Sequence, residues 1–279
     1  MPDAVTLRLP YLPPYDWTQV HRFLARRAIA GIESVTSGAY VRTVRAGRRH
    51  ALVRVEPVAA AHELALDIRG ADSADIPALT STVRRMFDLS ADPGQIANTF
   101  QRDPRLHRLV ARRPGLRIPG TWDPFESGVR AIMGQQVSVA AGVTLLTRLV
   151  ERIGERVFPT PEALAQCSLE DFGIPRARAA ALQSFARAVR DGAVDFNDPG
   201  ERVMRALVDL PGVGPWTAGY VALRGLSDPD GFPAGDLILR QQASTNGSAL
   251  TPRELNTRAQ AWRPFRGYAV MHLWEASAA

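Results

Sequence analysis

The spacing of apolar residues changes once along this chain. Near the N-terminus it is two: Val5, Leu7 and Leu9 alternate with Thr6 and Arg8, and the alternation returns at Ala51-Val53-Val55 and Leu64-Leu66-Ile68. A strand with one face on a core and the other in water reads this way. Ala46-Gly47-Arg48 supplies a hairpin-like turn before the second run. Between the first two runs, Asp16 can cap a helix that carries Trp17, Val20, Phe23 and Leu24 on one side. Residues 1–72 are therefore predicted to form a small antiparallel sheet backed by helix.

From Asp75 onward the period becomes helical. Leu79, Val83, Met86 and Phe87 mark one helix, and Asp92-Pro93 and Asp103-Pro104 each open another. Proline suits the first helical position because the amide it lacks would be unpaired there. The stretch from Arg112 to Gly120 is basic and broken by Pro114, Gly115 and Pro119, so it reads as a crossover between helical subdomains. Asp123-Pro124 then starts what the pattern predicts as the longest helix, with Val129, Ile132, Met133, Val137 and Ala140 on its inner face. The polar Gly134-Gln135-Gln136 is the one place where that helix could bend or end. Thr160-Pro161-Glu162 caps a further helix, and Pro175-Arg176-Ala177-Arg178 begins another with cations in its first turn. There they oppose the helix dipole; phosphate contact would offset that cost, and solvated arginine is the simpler reading. Trp262, Phe265, Tyr268 and Trp274 mark a C-terminal helical segment that packs back on the rest.

The most informative stretch runs from Val203 to Asp236. Val203, Met204, Leu207 and Val208 form one helical face, Pro211, Gly212 and Gly214 stop it, and Pro215 opens a new helix. Two short helices joined by a Gly-x-Gly turn make a helix-hairpin-helix. Gly212 and Gly214 have no side chain to hold a phosphate away, so amides at the start of the second helix can reach its oxygens. Such contacts position a duplex without reading its bases. The same turn could also be a plain connection in an all-α protein. Trp216 and Tyr220 share one face of the second helix. Asp236 begins the next apolar run, where aspartate is well suited to capping.

Charge and composition sharpen this reading. The chain has 279 residues, enough for two or three subdomains, and its net charge of +6 makes a polyanion a plausible partner. All 34 basic residues are arginine, so no side-chain amine can form a Schiff base with a sugar. The lone Cys167 excludes an intramolecular disulfide and a cysteine-held iron–sulfur cluster within the chain. The five histidines, His21, His50, His62, His107 and His272, show no metal-ligand spacing. No signal-peptide-like start and no membrane-length apolar run appears, which predicts a cytoplasmic protein.

The segment from Leu210 to Gly225, followed by Asp236, resembles the helix-hairpin-helix superfamily of DNA glycosylases. Within it, the match is to the bacterial DNA-3-methyladenine glycosylase II (AlkA) type. The likeness extends to Pro13-Pro14-Tyr15-Asp16-Trp17, to the segment from Phe125 to Ser138, and to the segment from Trp262 to Ala269. It implies an α+β fold: a small antiparallel sheet domain over 1–72, followed by two all-α subdomains. One would comprise 73–120 plus 227–279 and the other, carrying the hairpin, 121–226, with the active cleft between them.

The resemblance also implies an activity, the extrusion and hydrolytic excision of alkylated purines such as 3-methyladenine and 7-methylguanine from duplex DNA, leaving an abasic site. Extruding a base costs about a few kcal/mol. Each base–aromatic stack returns ~1–3 kcal/mol, and electron-rich rings attract a cationic alkylated base. Trp216, Tyr220, Phe23 and Trp274 are the rings implied around the cleft. Spacing supports the first two independently, whereas core packing explains Phe23 and Trp274 equally well. Asp236 is implied as the catalytic carboxylate that stabilises positive charge developing on the sugar. Gln136 would fill the gap left by the extruded nucleotide, where the family's best-known member has leucine. Gly212, Gly214 and Trp216 would meet a phosphate. Carbonyls of Val208, Leu210 and Val213 would hold a structural Na+ or K+ there, with no cofactor required for catalysis. Double-stranded DNA is the implied partner, with a monomer expected in the bacterial cytoplasm at the nucleoid.

Two positions depart from the family pattern: Gly235 stands where the best-known member has an acidic residue and Leu237 where it has an aromatic. The strand-cleaving relatives carry a lysine two residues past the last hairpin glycine, where this chain has Trp216, so no lyase activity is expected. The competing reading is a non-catalytic DNA-binding module that uses the hairpin alone.

Overall fold

The computed structural model describes residues 4–36, 38–58, 60–244 and 247–277. Strands β1 (Val5–Pro10), β2 (Glu33–Thr36), β3 (Ala39–Ala46), β4 (Arg49–Pro57) and β5 (Glu63–Arg69) form one antiparallel sheet in the order β1-β5-β4-β3-β2. The alternating runs set its register. Val53 and Val55 pair with Ile68 and Leu66 on one side of β5, and Val5 and Leu7 pair with the same two residues on the other. β3 and β4 are joined by a two-residue turn between Ala46 and Arg49, where Gly47 takes a positive φ of 52°. The apolar pattern did not single out β2 and β3. On β3 the inward face is Tyr40, Arg42, Val44 and Ala46, and the buried arginine interrupts the alternation.

Helix α1 (Trp17–Ala25) is capped as expected, Asp16 accepting the Gln19 amide at 2.9 Å. Its Val20 and Leu24 share a core with the inward face of the sheet and with Leu79, Val83 and Met86 of α2 (Ile76–Met86). Burying each such side chain is worth roughly 1.5–3 kcal/mol. Helices α3 (Pro93–Phe100) and α4 (Pro104–Arg112) begin at the predicted aspartate caps. The following crossover then leads to α5 (Pro124–Met133), where Asp123 accepts the Glu126 amide at 2.7 Å.

The helix opened by Asp123 is not the longest, contrary to the sequence pattern. It has 10 residues, whereas α6 (Val139–Ile153) and α8 (Arg176–Arg190) have 15 each. Gln136 adopts φ +56°, a left-handed conformation incompatible with a right-handed helix, and Ser138 caps α6 by accepting the Ala141 amide. Val137 is thus half-buried in a turn and Ala140 is exposed on another helix, so neither continues the inner face of α5.

Around α5 a second core forms, from Phe125, Val129, Ile132 and Met133 with residues of α6, α8, α9 (Gly200–Val208) and α10 (Pro215–Arg224), α7 (Pro161–Gln166) packing beside α8. A third core joins α3 and α4 to α11 (Leu237–Gln242), α12 (Pro252–Arg258) and α13 (Arg266–Ser277). Among the described residues, no helix is long and apolar enough to cross a membrane.

A buried ionic network ties the sheet to α5. Arg42, 1% exposed, contacts Glu126 through two nitrogens and donates to Glu33 at 3.0 Å, while Arg130 donates to Glu126 and Glu33 at 2.7 Å each. Two carboxylates and two guanidiniums cancel in charge, and their mutual bonds satisfy groups that burial would otherwise penalise.

Candidate active site

A cleft of about 390 Å³ opens between α1, the α5–α6 turn, α10, the start of α11 and α13. Asp236 lines it. The chain folds locally so that Asp236 caps α11, its Oδ1 accepting the Leu239 amide at 3.0 Å. The same oxygen accepts the Trp274 indole N–H at 3.2 Å, and Oδ2 accepts the Trp216 indole N–H at 3.1 Å. Three donors from α10, α11 and α13 therefore fix one half-buried carboxylate, with Oδ2 the less encumbered oxygen.

The hairpin is what brings Trp216 there. α9 ends at Val208, Gly212 takes φ +81°, and α10 begins at Pro215. A Cβ on Gly212 would lie 2.6 Å from the Cβ of Ala181 on α8, so the turn requires glycine on conformation and on space. Gly219 has a second close approach: a Cβ there would meet Pro233 Cα at 2.9 Å. Its absence lets α10 lie against the segment that leads into Asp236.

Trp216 and Tyr220 stack with ring centroids 5.6 Å apart and planes 29° apart, as their helical spacing predicts. Both line the cleft with Trp274. Phe23 also lines it, but its ring is already engaged: the Arg27 guanidinium carbon lies 3.7 Å and that of Arg224 4.4 Å from the ring centroid. Gln136 is exposed at the tip of the α5–α6 turn, beside the lining residues Gly134 and Val137. Gly235 and Leu237 flank Asp236 as small and apolar neighbours, Leu237 being 55% exposed.

Sequence reasoning missed the arginines of this site. Arg22, Arg26, Arg27 and Arg130 line the cleft, and Arg224 lies behind it, donating to the Tyr220 hydroxyl at 2.9 Å. Burial pulls the Arg224 guanidinium down, to about 10, which leaves it charged at neutral pH. Burial would raise the Tyr220 phenol, but the fields of Arg224, Arg27 and Arg130 outweigh it and lower the pKa. A signal was available: Arg27 follows Phe23, and Arg224 follows Tyr220, at the helical spacing that makes neighbours. In the sequence Gln135 is only part of a polar turn, yet in the structure it links that turn to the hairpin. Its Nε2 donates to the Gly212 carbonyl at 3.0 Å and to the Thr217 hydroxyl at 3.1 Å.

Residues 6–123 match the AlkA N-terminal domain family, and residues 129–266 match the HhH-GPD superfamily base excision DNA repair protein family. The chain is 38% identical to DNA-3-methyladenine glycosylase 2 of Escherichia coli (strain K12) over 95% of each chain. It is 24% identical to a DNA-3-methyladenine glycosylase of Bacillus subtilis (strain 168), over 98% of this chain and 96% of the relative. The solved 3-methyladenine DNA-glycosylase of Archaeoglobus fulgidus shares the fold, with a TM-score of 0.83 at 21% identity over 96% of both chains. On its domain matches and on an identity that runs nearly end to end, the chain belongs to the DNA-3-methyladenine glycosylase 2 family of helix-hairpin-helix base excision repair proteins.

Proposed function

We propose that the protein is a monofunctional DNA glycosylase that extrudes alkylated purines of the 3-methyladenine and 7-methylguanine type from duplex DNA and hydrolyses their N-glycosidic bond. The observation that carries this reading is the convergence of the Trp216 and Trp274 indoles on opposite oxygens of Asp236, in a cleft lined by Tyr220.

An N-alkylated purine is already a good leaving group, so no general acid is needed. Positive charge develops on the sugar instead, and a carboxylate oriented beforehand by three donors stabilises it without reorganising during the reaction. Oδ2, with one donor among the described residues, is also the oxygen suited to orient or deprotonate the attacking water. Trp216, Tyr220 and Trp274 supply the stacking surfaces, and the engaged ring of Phe23 forms wall rather than platform. Gln136 is the wedge: it stands exposed at the end of a turn and carries an amide that can hydrogen-bond the orphaned base. Gly212, Gly214 and the amide of Trp216 take a backbone phosphate at the positive end of α10.

Carbonyls at the hairpin fit a structural Na+ or K+. Among the described residues no donor meets those of Val208 and Val213, while that of Leu210 accepts the Val213 amide at 3.0 Å. Such an ion would reduce repulsion between these carbonyl dipoles and the phosphate. With no lysine in the chain, the product is an intact abasic site. We place the protein in the bacterial cytoplasm, acting on nucleoid DNA as a monomer.

The test is single-turnover release of 3-methyladenine and 7-methylguanine from methylated duplex DNA, comparing the unaltered protein with Asp236→Asn. The variant should lose ~10²–10⁴-fold in rate while still binding DNA. Release at equal rates would remove Asp236 from the mechanism. Binding without release by either protein would leave a DNA-binding module.

A further inference from the structure

The residue beside the proposed wedge is tied to the hairpin by bonds that the excision chemistry does not use. Gln135 follows the last turn of α5, its amide donating to Ile132 O at 3.3 Å. Its side chain crosses to the hairpin, where one nitrogen donates to both the Gly212 carbonyl and the Thr217 hydroxyl. From the other side, Arg178 in the first turn of α8 donates to the Gln135 carbonyl at 2.5 Å. Residue 135 is thereby held by both its side chain and its backbone. The peptide unit between Gly212 and Val213 is likewise bonded at both ends, since the Val213 amide donates to Leu210.

Gln136 comes next, in a left-handed conformation at φ +56° that glutamine adopts only when its surroundings enforce it. Thr217 is 2% exposed in the first turn of α10, so its hydroxyl is a fixed acceptor. The bonds of Gln135 therefore run between the turn that carries the wedge and the turn whose amides face a phosphate.

We infer that Gln135 is a positioning residue that sets Gln136 in register with DNA docked at the hairpin, so that phosphate binding and insertion into the helix occur as one event. This rests on the glycosylase reading above. A loose wedge turn would still allow docking and the chemistry of Asp236, but it would weaken the step that opens a paired duplex.

Single-turnover release should be measured for Gln135→Ala and for Gln135→Glu, which keeps the shape but replaces the amide donor by a carboxylate facing the Gly212 carbonyl. Two substrates are compared: a lesion in fully paired duplex, and the same lesion opposite an abasic-site analogue, where opening is already partly achieved. On paired DNA, both variants should slow release by about ten- to hundredfold: Gln135→Ala loses two hydrogen bonds, and Gln135→Glu, which the Thr217 hydroxyl can still meet as a donor, loses the bond to the Gly212 carbonyl and sets a carboxylate against it. On the pre-opened substrate the loss should stay within about threefold, because most of the unpairing cost is absent. Fluorescence of 2-aminopurine beside the lesion should show slower unstacking on the same paired duplex. In a Gln136→Ala background, Gln135→Ala should add almost nothing, since both act on one step. Equal losses on the two substrates, no loss on paired DNA, or full additivity with Gln136→Ala would each overturn the inference. If the unaltered protein releases no base from either substrate, the glycosylase reading fails instead, and slowed unstacking in the variants still decides whether Gln135 positions the wedge.

Discussion

Glu126→Gln removes one charge from a place that water cannot reach. The Glu126 side chain is fully buried, and its oxygens bind Arg42 twice and the Arg130 Nε once. The network of Glu33, Glu126, Arg42 and Arg130 is neutral as it stands; the glutamine leaves it one positive charge in excess, with Arg42 only 1% and the Arg130 side chain 9% exposed. Breaking a buried pair in this way costs about 3–5 kcal/mol. At roughly 2–4 °C per kcal/mol for chains approaching this size, Tm should fall by about 6–20 °C. Calorimetry or circular dichroism would read it. The companion variant Arg42→Met/Glu126→Met removes an opposite pair and leaves Glu33 with Arg130, so it should unfold at a higher temperature than Glu126→Gln despite carrying two substitutions. If the single change is no worse than the double, uncompensated charge is not what makes the site sensitive. Because Arg130 also donates to the Arg27 carbonyl at 2.8 Å and lines the cleft, Glu126→Gln should slow base release at temperatures where it remains folded.

Three further predictions concern separate sites. Trp216→Phe keeps a ring but removes what is, among the described residues, the only donor to Oδ2 of Asp236, and Trp274→Phe removes one of the two such donors to Oδ1, so single-turnover rates should fall about tenfold for the first and less for the second; the reverse order would contradict the assigned geometry. Gly212→Ala should lower both Tm and DNA affinity, because its φ is +81° and the new Cβ meets Ala181 at 2.6 Å, whereas Gly214→Ala, with open space around it, should leave Tm unchanged and weaken DNA binding alone, as read by calorimetry and salt-dependent titration. Burial would raise the Glu33 carboxyl, but Arg130, Arg42, the Tyr40 hydroxyl and the Ile29 amide together lower it from its usual 4.5 to about 2. Its stabilising contribution is therefore complete above pH 4.5 and is lost as pH falls toward 2, and Glu33→Gln should flatten the acid side of the stability curve in that window.

Local signals in the sequence settled much of this protein. The alternations at Val5-Leu7-Leu9 and Leu64-Leu66-Ile68 fixed strands and faces, because a strand side chain has only two directions to take. Aspartates 16, 92, 103 and 123 fixed helix starts, because each cap bonds amides two or three residues away. Pro211-Gly212 and Gly214-Pro215 fixed the hairpin for the same local reason, and helical spacing alone paired Trp216 with Tyr220. Other features depended on distant parts of the chain. β3 was obscured because its inward Arg42 is acceptable only where Glu126 meets it, a contact between residues 84 apart. α5 ends at Met133, and the turn that follows, with Gln136 left-handed, is tied to the hairpin through Gln135; nothing near Gln135 in the chain announces Gly212. Trp274 reads equally well as core or site until α13 folds back and sets its indole against Asp236, 38 residues earlier. Periodicity and capping act within a turn or two and so can be read from neighbours. The cleft and the donors that orient its carboxylate arise from packing between elements, and only the tertiary structure decided them.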